Sequence, residues 1–157
     1  MIITAGGENI APVPIEDNFK LECPACSNIM LIGENRRFMA ALITFKVEVD
    51  MSKGGIPSTN LDPLAVKYFK DTLGLDIKTS EEACKNQKVF EHIEKCVDGT
   101  NKKSVSKAAH IKKFKLLDMD FSQPGGELTP TMKLKRKVTE QKYQKIVDEI
   151  YAAQAKM

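Results

Sequence analysis

Two stretches of this chain carry residue types that serve chemistry better than packing. Near the start, Thr4-Ala5-Gly6-Gly7-Glu8-Asn9-Ile10 sets adjacent glycines just after a short apolar run. Adjacent glycines allow a tight turn, and they let backbone approach a ligand with no side chain in the way. Near the other end, Thr129-Pro130-Thr131-Met132-Lys133-Leu134-Lys135-Arg136 delivers several cations from one loop. Such a loop can meet phosphate oxygens. Each stretch alone has a plainer explanation. A Gly-Gly pair is usually a turn, and a charge run is usually a solvated face or a nuclear-localisation patch.

The cysteines and histidines suggest less. Cys23-Pro24-Ala25-Cys26 is a C-x-x-C, but Cys84 and Cys96 lie too far apart to be the matching pair of a zinc site. The pair follows a helix, whereas a thioredoxin-like motif opens one. Small buried thiols are the expectation, with no metal. His92 and His110 show no ligand or triad pattern, so surface or packing roles come first.

The elements that must hold these residues are legible from periodicity. Ile2–Gly6 reads as a short strand and turn. A helix follows, with Pro14 in its first turn, Glu16 and Asp17 at its positive end and Pro24 as its stop. Ile15, Phe19 and Cys23 form its apolar stripe. Ser27–Ile32 and Phe38–Val49 read as two strands joined through Gly33-Glu34-Asn35. The first is apolar on both faces and so expected to be central. Met51–Asn60 is a loop by composition. Asp62-Pro63 opens a helix ending near Gly74. Thr79 and Glu82 form a capping box for another, which carries Phe90, Ile93 and Val97 and ends near Gly99. Ile111–Leu117 reads as a strand, Phe121–Pro130 as a Gly/Pro loop, and 138–157 as an amphipathic helix. The implied class is α+β, a small mixed sheet with a β-hairpin and additional strands, flanked by amphipathic helices.

Taken together, in this order and separation, the two stretches resemble the first and last signature motifs of the C-terminal domain of the adenylate-forming (AMP-binding) enzyme superfamily. GGENIAPVPIE, with GGELTPTMKLKR, is most similar to the long-chain fatty acyl-CoA ligases of the bubblegum type. SNIMLIGENRRFMAALITFK and HIKKFKLLDMDFS resemble that subfamily too. The resemblance covers nearly all of 1–157 and is weakest in Asp50–Lys107, which reads as a variable insertion plus helices.

The resemblance implies the lid domain of a two-step ligase. A fatty carboxylate and Mg-ATP give acyl-adenylate and pyrophosphate; CoA thiol then displaces AMP. The lid rotates about a hinge and offers a different face to each step. Lys133 matches the catalytic lysine, which binds ATP and the acyl-adenylate as charge builds on the α-phosphate. Many relatives have Gly at the Met132 position. Arg136 matches a basic position with a supporting or packing role. Gly6 and Gly7 match the turn that lines the pantetheine tunnel, with Glu8 beside them in the CoA-binding step; Glu8 and Asn9 either brace that turn by hydrogen bonds or supply simple turn polarity. Glu16 favours the helix N-terminus. Arg36 and Arg37 can meet CoA phosphates, though a solvated loop is the first expectation.

The implied partner is the ATP-binding large N-terminal domain, which holds most of ATP and Mg2+. That domain and the hinge motif are not in the sequence, so the chain alone is expected to be inactive. Substrates are fatty acid, ATP and CoA. Location is expected to be cytoplasmic, or at the cytosolic face of the endoplasmic reticulum or another membrane through peripheral association. Formal net charge is +3, too small to argue for nucleic acid. Two other readings remain: the lid of an aryl- or amino-acid-activating relative, and a basic module using Lys133–Lys137 on nucleic acid or anionic lipid.

Overall fold

The computed structural model describes residues 1–155. A hairpin, β1 (Ile2–Ile3) with β2 (Asn9–Ile10), leads into helix α1 (Pro12–Glu22). The central sheet has the order β3 (Cys26–Ile32), β4 (Met39–Phe45), β7 (Ile111–Leu117). β3 pairs antiparallel with β4, and β7 runs parallel to it. A separate ribbon joins β5 (Val47–Asp50) to β6 (Ile56–Leu61). Helices α2 (Pro63–Leu73), α3 (Ser80–Lys85) and α4 (Gln87–Lys102) precede β7. Helices α5 (Arg136–Lys142) and α6 (Gln144–Ala155) end the described chain. This is the expected α+β class with a small mixed sheet. Residues 156 and 157 of the expected C-terminal helix lie outside the described residues.

Period-2 alternation explains the layering. Ile29 and Leu31 of β3, with Met39, Ala41 and Ile43 of β4, face α1, α2 and α4. Met30, Ile32, Ala40 and Leu42 face the opposite way, toward Phe121, Leu128, Val147 and Ile150. Both faces are therefore covered by packed elements. β3 is an edge strand, not the central one. Its unbroken apolar run reports burial on two faces, and β4 takes the centre. Phe19, Phe45 and Phe69 are fully buried on the α1 side. Truncating such a phenylalanine costs about 3–5 kcal/mol.

Other expectations are corrected. The segment 38–49 is not one strand. At Lys46 the chain leaves the sheet: the Lys46 N–H donates to the Ala25 carbonyl, and its own carbonyl accepts from the Asp62 N–H. Val47 onward then pairs with β6 instead. Met51–Asn60 is not a plain loop; it holds a 3-10 turn and most of β6. The helix after the Thr79–Glu82 cap breaks at Asn86, whose side chain caps α4 through the Lys88 and Val89 N–H groups. That helix runs through Gly99 to Lys102. Gly99 permits close approach, since a Cβ there would lie 2.9 Å from the Glu22 carboxylate. The C-terminal helix begins at Arg136 and is divided at Tyr143.

α1 starts at Pro12, so Glu16 falls in its second turn and does not serve the helix N-terminus. Its actual role appears below.

Candidate functional site

The Gly6-Gly7 turn is held from three sides. The Thr4 N–H donates to the Glu8 carbonyl at 3.0 Å, and the Gly7 N–H to the Thr4 carbonyl at 2.9 Å. The Glu8 N–H donates to the Thr4 hydroxyl at 3.2 Å. The Ala5 N–H reaches the Arg36 carbonyl, and Glu34 accepts from the Ile3 N–H. The turn thus hangs on the β3–β4 loop. Gly7 is left-handed at φ 82°, and a Cβ built there meets nothing within 4 Å. Backbone conformation favours glycine at this point, and the space beside it is open. Glu8 braces the turn through its backbone.

Beside this turn lies a cleft whose lining includes Gly6, Glu8, Arg37, Lys107, His110 and Lys112. Arg37 is exposed and available to an anion. Arg36 is not free: it pairs with Asp148 at 3.5 Å and lies over the Tyr151 ring at 4.6 Å.

Lys133 sits at the tip of a second small hairpin. Leu128 bridges Leu134, the Thr129 N–H donates to the Lys133 carbonyl at 2.8 Å, and the Met132 N–H closes a turn on the Thr129 carbonyl. The Thr129 hydroxyl accepts from the Lys133 N–H at 3.1 Å. Met132 is left-handed at φ 66°, a conformation that suits glycine. Lys133 is exposed and makes no ion pair among the described residues.

Two buried carboxylates anchor that hairpin. Glu127, 1% exposed, accepts from the Ser122 N–H and pairs with Lys142, while Tyr143 donates to it at 3.3 Å. Its carbonyl accepts from the Lys135 N–H. Burial first, then the Glu127 charge, pushes the Tyr143 hydroxyl up to about 12. Glu16, 4% exposed, takes the Leu31 N–H at 2.8 Å and both terminal nitrogens of Arg136. Arg136 therefore ties the residues just past Lys133 to the helix just past Gly6-Gly7. Neither carboxylate role was read from sequence. For Glu127 the available signal was no more than an acid set between Gly125-Gly126 and Leu128 in the Gly/Pro loop.

Gly125 depends on Glu127. A Cβ at Gly125 would fall 2.4 Å from Glu127 Oε1 and 2.9 Å from the Ser122 hydroxyl. The carboxylate is buried and held by three partners, so it has little room to yield. Gly125→Ala should cost about 1–3 kcal/mol in urea unfolding. Gly126→Asn is the control, because Gly126 is left-handed with open space around it and Asn tolerates that conformation.

The cysteines meet in an arrangement the sequence did not suggest. Cys23, His92 and Cys96 bring one donor atom each within 4.8 Å of one another. Cys26 Sγ is 3.5 Å from Cys23 Sγ. The available signal was His92-x-x-x-Cys96, which puts both side chains on one face of α4. Hydrogen bonding to Cys26, together with burial, pushes the Cys23 thiol well up, against an opposing hydrogen bond with Cys96. Hydrogen bonding to Cys23 and burial raise Cys96 likewise. Cys84 stands apart, raised to about 11, chiefly by burial.

Comparison with known proteins gives this architecture its class. Residues 70–155 match the family described as "AMP-binding enzyme C-terminal domain", and the chain belongs to that family. Among curated proteins it is similar to long-chain-fatty-acid--CoA ligase ACSBG2 of Gallus gallus, at 45% identity over 153 residues, covering 97% of this chain and 20% of that protein. It is also similar to long-chain-fatty-acid--CoA ligase ACSBG1 of Homo sapiens, at 41% identity over 156 residues, covering 98% and 21%. The chain spans about a fifth of the length of these relatives. Among solved structures, the A-PCP didomain of carboxylic acid reductase from Segniliparus rugosus in complex with AMP matches at TM-score 0.65 and 15% identity, covering 99% of this chain and 18% of that one. The adenylation domain of the Mycobacterium chelonae carboxylate reductase matches at TM-score 0.64 and 17% identity, covering 96% and 19%. These structures support the fold.

Proposed function

We propose that this chain is the C-terminal lid of a long-chain fatty acid–CoA ligase that activates fatty acids through acyl-AMP. The observation that carries this reading is 41–45% identity along almost the whole chain to proteins named for that activity. Lys133 serves adenylation. The Gly6-Gly7 turn, with Glu8, serves CoA. The geometry is compatible with both roles: an exposed lysine on a pinned hairpin, and an open turn beside exposed cations. ATP with Mg2+ is held mainly by a large N-terminal domain, the lid's partner, and the lid alone does not turn over. Peripheral contact with a cytosolic membrane face suits a fatty substrate. Nucleic acid is not a partner.

The test uses the full-length protein with a panel of acids. Long-chain fatty acids should support pyrophosphate exchange and acyl-CoA formation. Exchange with only aryl or amino acids would replace the fatty-acid reading with another ligase of the same class.

The CoA assignment has its own test. A side chain at position 7 should obstruct the second half-reaction more than the first. Gly7→Asn tolerates the left-handed backbone, so its effect reports occupied space rather than strain. Thioester formation from supplied acyl-adenylate should fall about 10²-fold, with adenylation little changed. Unaltered thioester formation in Gly7→Asn would remove the tunnel role.

A further inference from the structure

We propose that Cys23, Cys26, His92 and Cys96 form a closed zinc site that staples the helical layer to the central sheet. Three thiols and one imidazole are a donor set of structural zinc, and a C-x2-C facing an H-x3-C is close to its usual spacing. The fold brings together what the sequence separates. α1 ends at Glu22, Cys23 caps it, and the Cys26 N–H closes the Cys-Pro-Ala-Cys turn on the Cys23 carbonyl at 3.1 Å. α4 lies against this corner, where Gly99 allows close packing on Glu22. His92 and Cys96, one turn apart, point into it.

The distances suit a tetrahedral ion. With Zn–S near 2.3 Å and Zn–N near 2.0 Å, donor atoms stand roughly 3.5–3.8 Å apart. Cys23 Sγ to Cys26 Sγ is 3.5 Å, and Cys96 Sγ to His92 Nε2 is 3.6 Å. The three donors Cys23, His92 and Cys96 already lie within 4.8 Å of each other; Cys26 touches this group through Cys23 alone, and its thiol must turn toward His92 and Cys96 to complete the set. Cys23, Cys26 and Cys96 are buried, and all four cysteines are free thiols.

One group competes for the site. The Tyr68 hydroxyl is 2.7 Å from His92 Nε2. It must give up that nitrogen when the ion binds. Tyr68 is only partly buried on α2, so its ring can shift, and its hydroxyl then serves as a donor to a thiolate. Four protein ligands leave no open position, so the ion is structural and joins α1, the start of β3 and α4.

The test is metal analysis of the full chain, expressed with zinc and purified without chelator or histidine tag. About one zinc per chain is expected. Cobalt substitution should give the intense visible absorption of a tetrahedral thiolate site. Chelation should lower the melting temperature and expose Cys23, Cys26 and Cys96 to alkylation. Cys96→Ser and His92→Ala should retain less than about a tenth of the metal. Because those variants can also misfold, His92→Cys is the decisive partner: it supplies a fourth thiolate, so zinc should stay and the cobalt charge-transfer band should grow. Cys84→Ser should retain the metal. Folded wild-type protein with less than about a tenth of an equivalent, a Cys23–Cys26 disulfide in anaerobically purified protein, or metal retained undiminished by folded Cys96→Ser would each overturn the site.

Discussion

Lys133→Ala in the full-length enzyme should slow acyl-adenylate formation by about 10²–10³-fold. Thioester formation from supplied acyl-adenylate should stay within about threefold of wild type. The expectation rests on what this lysine does and does not do in the fold. It is exposed, caps no helix and makes no ion pair among the described residues. Its carbonyl accepts from the Thr129 N–H and its N–H donates to the Thr129 hydroxyl, so the loop does not depend on its side chain. Removing an exposed, unpaired side chain should change stability by less than about 0.5 kcal/mol. Any large kinetic effect is then a lost interaction with reacting atoms. An ammonium facing the α-phosphate is worth most where negative charge accumulates, in the first half-reaction. Lys133→Arg should recover only part of the loss, because a planar guanidinium spreads its charge differently from a point-like ammonium. The measurement is pyrophosphate exchange beside single-turnover thioester formation. Equal loss in both half-reactions would refute the assigned role.

How much was readable before the structure follows from which forces were local. Strands β3 and β4 announce themselves through apolar runs, and the caps at Asp62 and Thr79 are short-range hydrogen bonds that sequence spacing encodes. The Gly-Gly turn and the Lys133 loop were found as motifs, and both prove to be turns closed by local backbone and threonine hydrogen bonds, the first also tied to the β3–β4 loop. What failed was long-range. Nothing in Phe45-Lys46-Val47 says that the chain changes sheets; that is decided by Ala25 and Asp62, remote in sequence. Burial on both faces made β3 look central, because periodicity reports covering and not pairing. Gly99 looked like a helix stop, yet it serves contact with Glu22, 77 positions earlier in number and adjacent in space. The same limit hid the meeting of Cys23 with His92. Glu16 is the clearest case. A carboxylate near a helix start has a ready local explanation, and the true partner lies 120 residues away.

That pair gives the second large expectation. Arg136→Met should destabilise the domain by about 3 kcal/mol, read from denaturant unfolding. Glu16 is 5% exposed at its side chain and Arg136 31%. Losing the guanidinium leaves a buried carboxylate with only the Leu31 N–H for company. The penalty is that of an uncompensated charge more than of a lost attraction, so removing both charges should cost less than removing one. Glu16→Gln combined with Arg136→Met should therefore recover at least about half of the single-variant loss. The amide still accepts from Leu31 and carries no charge to strand. A double variant as unstable as the sum of the two singles would show that the groups do not couple. The pair also has a kinetic consequence. Arg136 opens α5 directly after the Lys133 hairpin, and Glu16 lies on the helix that follows the Gly6-Gly7 turn. In the full-length enzyme, at temperatures where the variant remains folded, Arg136→Met should impair adenylation through misplaced Lys133, by less than Lys133→Ala does. If adenylation matched wild type while stability fell as expected, the ion pair would hold the fold without orienting the lysine.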